Sequence, residues 1–276
     1  MPAHATIVGR LPGDSMKRLE LDLLLRHAAM ALALVAPGLA LAQADRGIAY
    51  LDQKDCEAAF DAFNKGMADG ETRSMYLVGQ MFEYGICLKV NPARAAAIYE
   101  QAARLGDAGS ARALALLNAR GAGVPQSYAK AGYWFEVAAG RKPASDAPGG
   151  DAFATPEAMT RTYVEAVHDL AEDNMVYPPR AAERGVRGNV VMRFDPEAGT
   201  ATLVSSADNQ GTATDHLGPN KHLFERALAI SYADAIRSLP KPELPATGSF
   251  ATDHEVRFSR DRNSRDGPYG LQGLRR

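Results

Sequence analysis

Three stretches of the chain align without a gap at one spacing. They are DCEAAFDAFNKGMADG (residues 55–70), NPARAAAIYEQAARLG (91–106) and SYAKAGYWFEVAAG (127–140), each beginning 36 residues after the last. Asp55, Asn91 and Ser127 head them, and such side-chain oxygens accept the orphan backbone N–H groups of a first helical turn. Pro92 falls at the first helical position, where a missing donor costs nothing. Small residues recur at Ala59, Ala95 and Ala131, and aromatic ones at Phe63, Tyr99 and Phe135. Gly70 and Gly106 stand where a helix ends in a left-handed residue. A second helix follows in each full copy, over 74–84 and 110–120, stopped by Gly85 and Gly121. Leu77 and Met81, then Leu114 and Leu117, give those helices an apolar stripe. The unit is an αα-hairpin whose stripes are buried only when neighbours stack.

The 36-residue unit and the string GAGVPQSYAKAGYWFEVAA at 121–139 resemble the Sel-one-like repeats, relatives of the tetratricopeptide repeat, over residues 50–140. The resemblance implies a protein-interaction solenoid, not a catalyst. The first copy departs from the pattern, with EYGICLKVNP at 83–92 in place of the usual glycine-valine-proline turn. Stacked arrays need about three units for stability, so another helix should cap this one. Residues 141–154 read as a linker from their Gly, Pro, Ser and Asp content. A helix over 155–173 follows, with Met159, Tyr163, Val167 and Leu170 on one face. That face closes the solenoid or packs on the next domain.

Upstream, Lys17, Arg18 and Arg26 precede the apolar run AAMALALVAPGLALA, which ends small-x-small at Ala40-Leu41-Ala42. This is the pattern of a secretory signal peptide over residues 1–42, with Met16 the better start and Gln43 the mature one. The apolar run is shorter than the roughly 20 residues that a spanning helix needs, so no stable membrane insertion is expected after cleavage. Without residues 1–42 the basic and acidic groups number 27 and 30, against 31 and 33 for the whole 276-residue chain. Neither balance supplies a basic field for nucleic acid. The two cysteines suit a single bridge in an oxidising compartment, here the periplasm of a Gram-negative envelope. Cys56 opens the first repeat helix and Cys87 lies just past its antiparallel partner. A Cys56–Cys87 disulfide would close a loop worth roughly 3–4 kcal/mol in the chain-entropy model.

From Tyr177 the periodicity changes. A short helix around 179–184 is expected, then a strand with Val190, Met192 and Phe194 on one face, and a second strand over 200–206. Residues 208–220 read as a loop. A helix over 223–237 carries Leu223, Ala227 and Ile230 as its stripe, and a third strand runs over 250–258. The fold class is therefore mixed: an all-α hairpin solenoid followed by a small α+β domain with a three-stranded antiparallel sheet. Tyr177-Pro178, Ala181, Gly185, Gly188, Val190 and Phe194, with Leu223-Phe224 and Ala227, resemble the TonB C-terminal domain over 175–260. That family grips an outer-membrane receptor by strand addition. The aromatic-rich end of its second helix is replaced here by Arg237-Ser238-Leu239-Pro240, and its Pro-rich spacer is missing. Residues 261–276 read as a disordered tail.

No catalytic motif, metal-ligand spacing or phosphate-binding loop stands out, so no catalytic residue, cofactor or metal is expected. Glu165 and His168 read as a surface pair, His216 and His222 as a solvated polar loop, and His254 as a satisfied half-buried histidine. The leading expectation is a non-enzymatic periplasmic adaptor that binds envelope proteins or extended peptides. An energy transducer with an uncleaved anchor, and an envelope enzyme around His168, His216 and His222, are the alternatives. The partner is expected beside the third strand, at Ala251, Thr252, Asp253, His254, Glu255 and Val256, where an edge leaves unpaired backbone groups.

Overall fold

The computed structural model describes residues 43–176, 188–208, 223–246 and 248–258. The early signal-like segment, the opening of the TonB-like string at 177–187, the loop bearing His216 and His222, and the tail lie outside the described residues. A helix α1 (43–52) comes first. It is followed by α2 (Cys56–Ala68), α3 (Thr72–Tyr84), α4 (Pro92–Arg104), α5 (Ala108–Arg120), α6 (Tyr128–Ala138) and the longer α7 (Pro156–Asn174). Then come β1 (Gly188–Asp195), β2 (Thr200–Asp208), α8 (Leu223–Ser238) and β3 (Thr252–Phe258). The architecture is a helical-hairpin solenoid followed by a small α+β region.

The caps do what their chemistry dictates. The side chains of Asp55, Asn91 and Ser127 accept from the N–H groups of Ala58, Arg94 and Lys130, and Pro92 opens α4. Gly70, Gly85, Gly106 and Gly121 all have positive φ. Ala59, Phe63, Ala95, Tyr99, Ala131 and Phe135 are all buried. Two of the aromatic rings, Phe63 and Tyr99, need a gap on the preceding helix. A Cβ on Gly79 of α3 would fall on the Tyr99 ring, and one on Gly47 of α1 would fall on the Phe63 ring. Helix α1 is thus an extra half-unit ahead of the array that the periodicity starts at residue 50. It buries Ala44, Ile48 and Leu51 and closes the first end.

The departure of the first copy has a covalent explanation. Gly123 lies at φ +73°, where a Cβ would press on the backbone of Pro92 and Ala93 at the start of α4. Thirty-six residues earlier the same two places hold Cys87, at φ +61°, and Cys56. These two are joined by a disulfide with their Cα atoms 5.5 Å apart. A bond therefore occupies the spot that a glycine keeps empty in the next repeat, and it holds a non-glycine residue in the left-handed region.

Helix α7 closes the other end and is shared with the sheet. Its Tyr163 ring meets Tyr128 of α6 edge-on on one side and Phe194 of β1 on the other, both with centroids 5.7 Å apart. Arg112 of α5 pairs with Asp169 at 2.7 Å and Asp173 at 3.0 Å. The Tyr128 hydroxyl donates to the Pro240 carbonyl beyond α8 at 2.6 Å. The buried side chains form one cluster from Ala44 to Val256. The stretch read as a linker is partly structured, because Phe153 is buried beside Gly132 and against the Tyr133 ring in a 3₁₀ turn at Asp151–Phe153.

The sheet has the order β2-β1-β3 and is antiparallel throughout. Val190, Met192, Phe194 and Val256 are buried against α7 and α8. The expected stripe of α8 is corrected by one position. Phe224, Leu228, Tyr232 and Ala235 face the core, while Ile230 is 57% exposed and Ala227 half-buried. Both stripes are apolar in the sequence, and only the sheet decides between them. Among the described residues no helix is long and apolar enough to cross a membrane.

Candidate functional site

Among the described residues strand β3 is an edge strand, with β1 paired to one of its sides. The two sheet edges differ. The β1–β2 register slips between Val191 and Met192, so that Val204 of β2 has no opposite residue and the edge is bulged. The β1–β3 register runs without a slip from Gly188↔Phe258 to Phe194↔Thr252. A bulge twists an edge away from further pairing, whereas a regular edge presents its N–H and C=O groups in line. On the solvent face, Arg193 holds Asp253 through two bonds of 2.6 and 2.9 Å, and Asn189 donates to Glu255 at 2.6 Å. Thr252, Asp253 and Glu255 are exposed, His254 is half-buried, and Val256 is buried in the core. Ala251 lies just before the strand.

The opposite face of β3 rests on α7 through a histidine pair. The rings of His168 and His254 stack with centroids 4.7 Å apart and planes 19° apart. His168 Nδ1 is 2.6 Å from the Tyr232 hydroxyl and its Nε2 is 2.7 Å from the Thr252 hydroxyl. A neutral imidazole has one donor and one acceptor nitrogen, and two hydroxyls can satisfy both. Burial, and then the neighbouring His254, pushes the His168 pKa down to about 3, so the ring is uncharged. His254 Nε2 reaches Glu172 at 3.1 Å. His168 is therefore no surface residue, which corrects the surface-pair reading. Helix α7 is covered on two sides, by α6 and by the sheet, and His168 lies on the second.

That second stripe is written in the sequence as Val164, His168 and Ala171, at helical spacing. The histidine in its middle hides it as a core stripe, since the apolar pattern is interrupted there. Tyr232 and Glu172 were missed because nothing local marks them. They meet His168 and His254 only across elements distant in the chain.

Beside the pair, the described residues leave a cleft of about 550 Å³. Arg161, Val164 and Glu165 of α7 form one wall, and Phe250, Asp253 and His254 the other. The cleft thus lies between α7 and the start of β3, whose side away from β1 has no strand partner among the described residues. Glu165 is exposed by surface area, yet it lines a concave wall. Desolvation there, then the Asp169 carboxylate, raises its pKa to about 7, a rise that the solvent-exposed part of the side chain tempers. No group of three His, Cys, Asp or Glu side chains suited to a metal ion occurs among the described residues. With both His168 nitrogens committed, the arrangement is a polar latch between helix and strand, next to an open edge and a groove for side chains.

Comparison with known proteins bears on the helical part. Residues 72–107 and 108–141 match the family model of the Sel1 repeat. Each segment takes a second helix of one hairpin with the first helix of the next, so the 36-residue period is the same and its phase differs. Sel1 repeats are in general scaffolds for protein–protein interaction. Among solved structures, a protective antigen of uropathogenic Escherichia coli with an SLR fold is 23% identical, with a TM-score of 0.37. That match covers 47% of this chain and only 26% of the antigen. A Sel1 repeat protein from Oxalobacter formigenes is 18% identical with a TM-score of 0.36, over 82% of this chain and 85% of that one. No curated protein matches the chain.

Proposed function

We propose that this protein is a non-enzymatic adaptor of the bacterial cell envelope. Its Sel1 repeats hold one protein, and its sheet binds an extended segment of another by strand addition beside β3. The observation that carries the reading is the asymmetry of the sheet: a bulged edge at β2 and a regular edge at β3 that is unpaired among the described residues. Main-chain bonds at such an edge supply affinity, and pockets for alternate side chains supply selectivity. The TonB-like residues Gly188, Val190 and Phe194 lie in the strand that supports β3, which is in keeping with that family's mode of binding. A periplasmic setting is supported by the signal-like residues 17–42 and by the exposed Cys56–Cys87 bond, which persists where thiols are oxidised.

The experiment is site-specific photo-crosslinking in intact cells from Glu255 on β3 and from Leu203 on β2. A partner captured from Glu255 and not from Leu203 is the expected result. Proline at Thr252 and, separately, at Asp253 then removes one N–H from each side of β3. The variant that loses the outward N–H should keep its helical circular dichroism and lose the partner. A folded proline variant that captures the partner as the parent does would refute strand addition here.

A further inference from the structure

We propose that the segment added beside β3 carries a lysine or arginine whose cation enters the α7–β3 cleft and pairs with Glu165. Its apolar neighbours two residues away would seat on Val164 and Phe250. The inference rests on the strand-addition reading above and adds the chemistry of the partner.

Side chains of an added strand alternate between faces, so residues two apart point the same way, about 7 Å from each other. One set would lie over the solvent face, beside Asp253 and Glu255. The other would enter the cleft between β3 and α7. Two carboxylates of α7 line that cleft, Glu165 and Asp169, and Asp253 borders it with its side chain on the solvent face. Asp253 is answered by Arg193 and Asp169 by Arg112. Glu165 makes no hydrogen bond or ion pair among the described residues. Arg161, one turn away on the same helix, makes no ion pair with it. The elevated pKa of Glu165 agrees with this: burial and then Asp169 raise it, and the more distant Arg141 and Arg112 offset only part of that rise. An incoming cation would supply that compensation, with Val164 and Phe250 flanking its aliphatic stem. An incoming carboxylate would meet Glu165 and Asp169, with Arg161 the cation that lines the cleft.

The test uses the full chain and two fluorescent peptides of alternating valine and threonine, one with a central lysine and one with a central glutamate. Fluorescence polarisation should show the lysine peptide binding about tenfold more tightly, the size of effect expected for a partly buried charge pair. E165Q should remove most of that preference, and E165K should reverse it. Equal binding of the two peptides, a glutamate preference through Arg161, or a lysine preference that survives E165Q would each overturn the inference. The folded β3 proline variant separates the two levels. If both peptides bind the parent equally and both are lost in that variant, strand addition stands and the cation falls. If neither peptide binds the parent, both readings fail.

Discussion

Cys87 occupies a backbone conformation that its repeat partner, Gly123, adopts without cost. In most settings a left-handed residue with a Cβ is disfavoured by about 1–2 kcal/mol relative to glycine. Here the disulfide to Cys56 makes the position tolerable and staples the first repeat, where the glycine-valine-proline turn is absent. Removing the bond should uncover the underlying preference. In a C56A background, C87G should be more stable than C87A by about 1 kcal/mol. Urea denaturation of the two variants measures this directly, and equal midpoints would show that the φ of +61° carries no strain. The pairing of the cysteines could be read from the sequence because an antiparallel hairpin brings its ends together. The glycine equivalence could not, because it needs the backbone angle at both positions.

At the level of elements, the latch between α7 and β3 makes acid sensitivity a local property. His168 is held neutral, with a folded pKa of about 3, well below the ordinary value of 6.5. The unfolded chain therefore takes up this proton first as the pH falls. The contribution is complete above about pH 6.5 and is lost progressively toward pH 3. Glu172, Asp253 and His254 are the titratable groups around it. Between pH 7 and pH 5 the wild type should lose roughly 2 kcal/mol more than H168Q, at about 1.4 kcal/mol per unit below the unfolded pKa. Urea titrations at the two pH values test it, and parallel losses would place the protonation elsewhere. The helices themselves were legible because their caps and stripes are local. The face of α8 was not, since Leu223 and Ile230 compete on equal terms with Phe224 and Leu228 until the sheet chooses. The cleft was equally hidden, because it joins residues of α7 to residues some eighty positions later.

For the whole molecule, the sequence suggests two modules separated by a linker, whereas the core runs through both. Tyr163 is the bolt: it is 1% exposed and touches Tyr128 of the solenoid and Phe194 of the sheet. Y163A should cost about 3–5 kcal/mol, as large-to-small changes of buried aromatic residues do. It should lower the unfolding temperature of helix and sheet together. Differential loss, with helical dichroism unchanged while the sheet melts, would mean that the parts are independent. A shared core has a consequence for function. A segment bound at β3, as proposed, would rest on a strand that α7 holds, and α7 also closes the repeats, so the two proposed binding surfaces would share one element.

The central claim is that a partner extends the sheet at β3. Amide hydrogen exchange on the full chain, with and without the lysine-bearing peptide, reads that claim residue by residue. The account predicts new protection at alternate residues of Thr252–Phe258 and none along Thr200–Asp208. Protection along β2, or binding that leaves β3 exchanging as it does in the free protein, would contradict it.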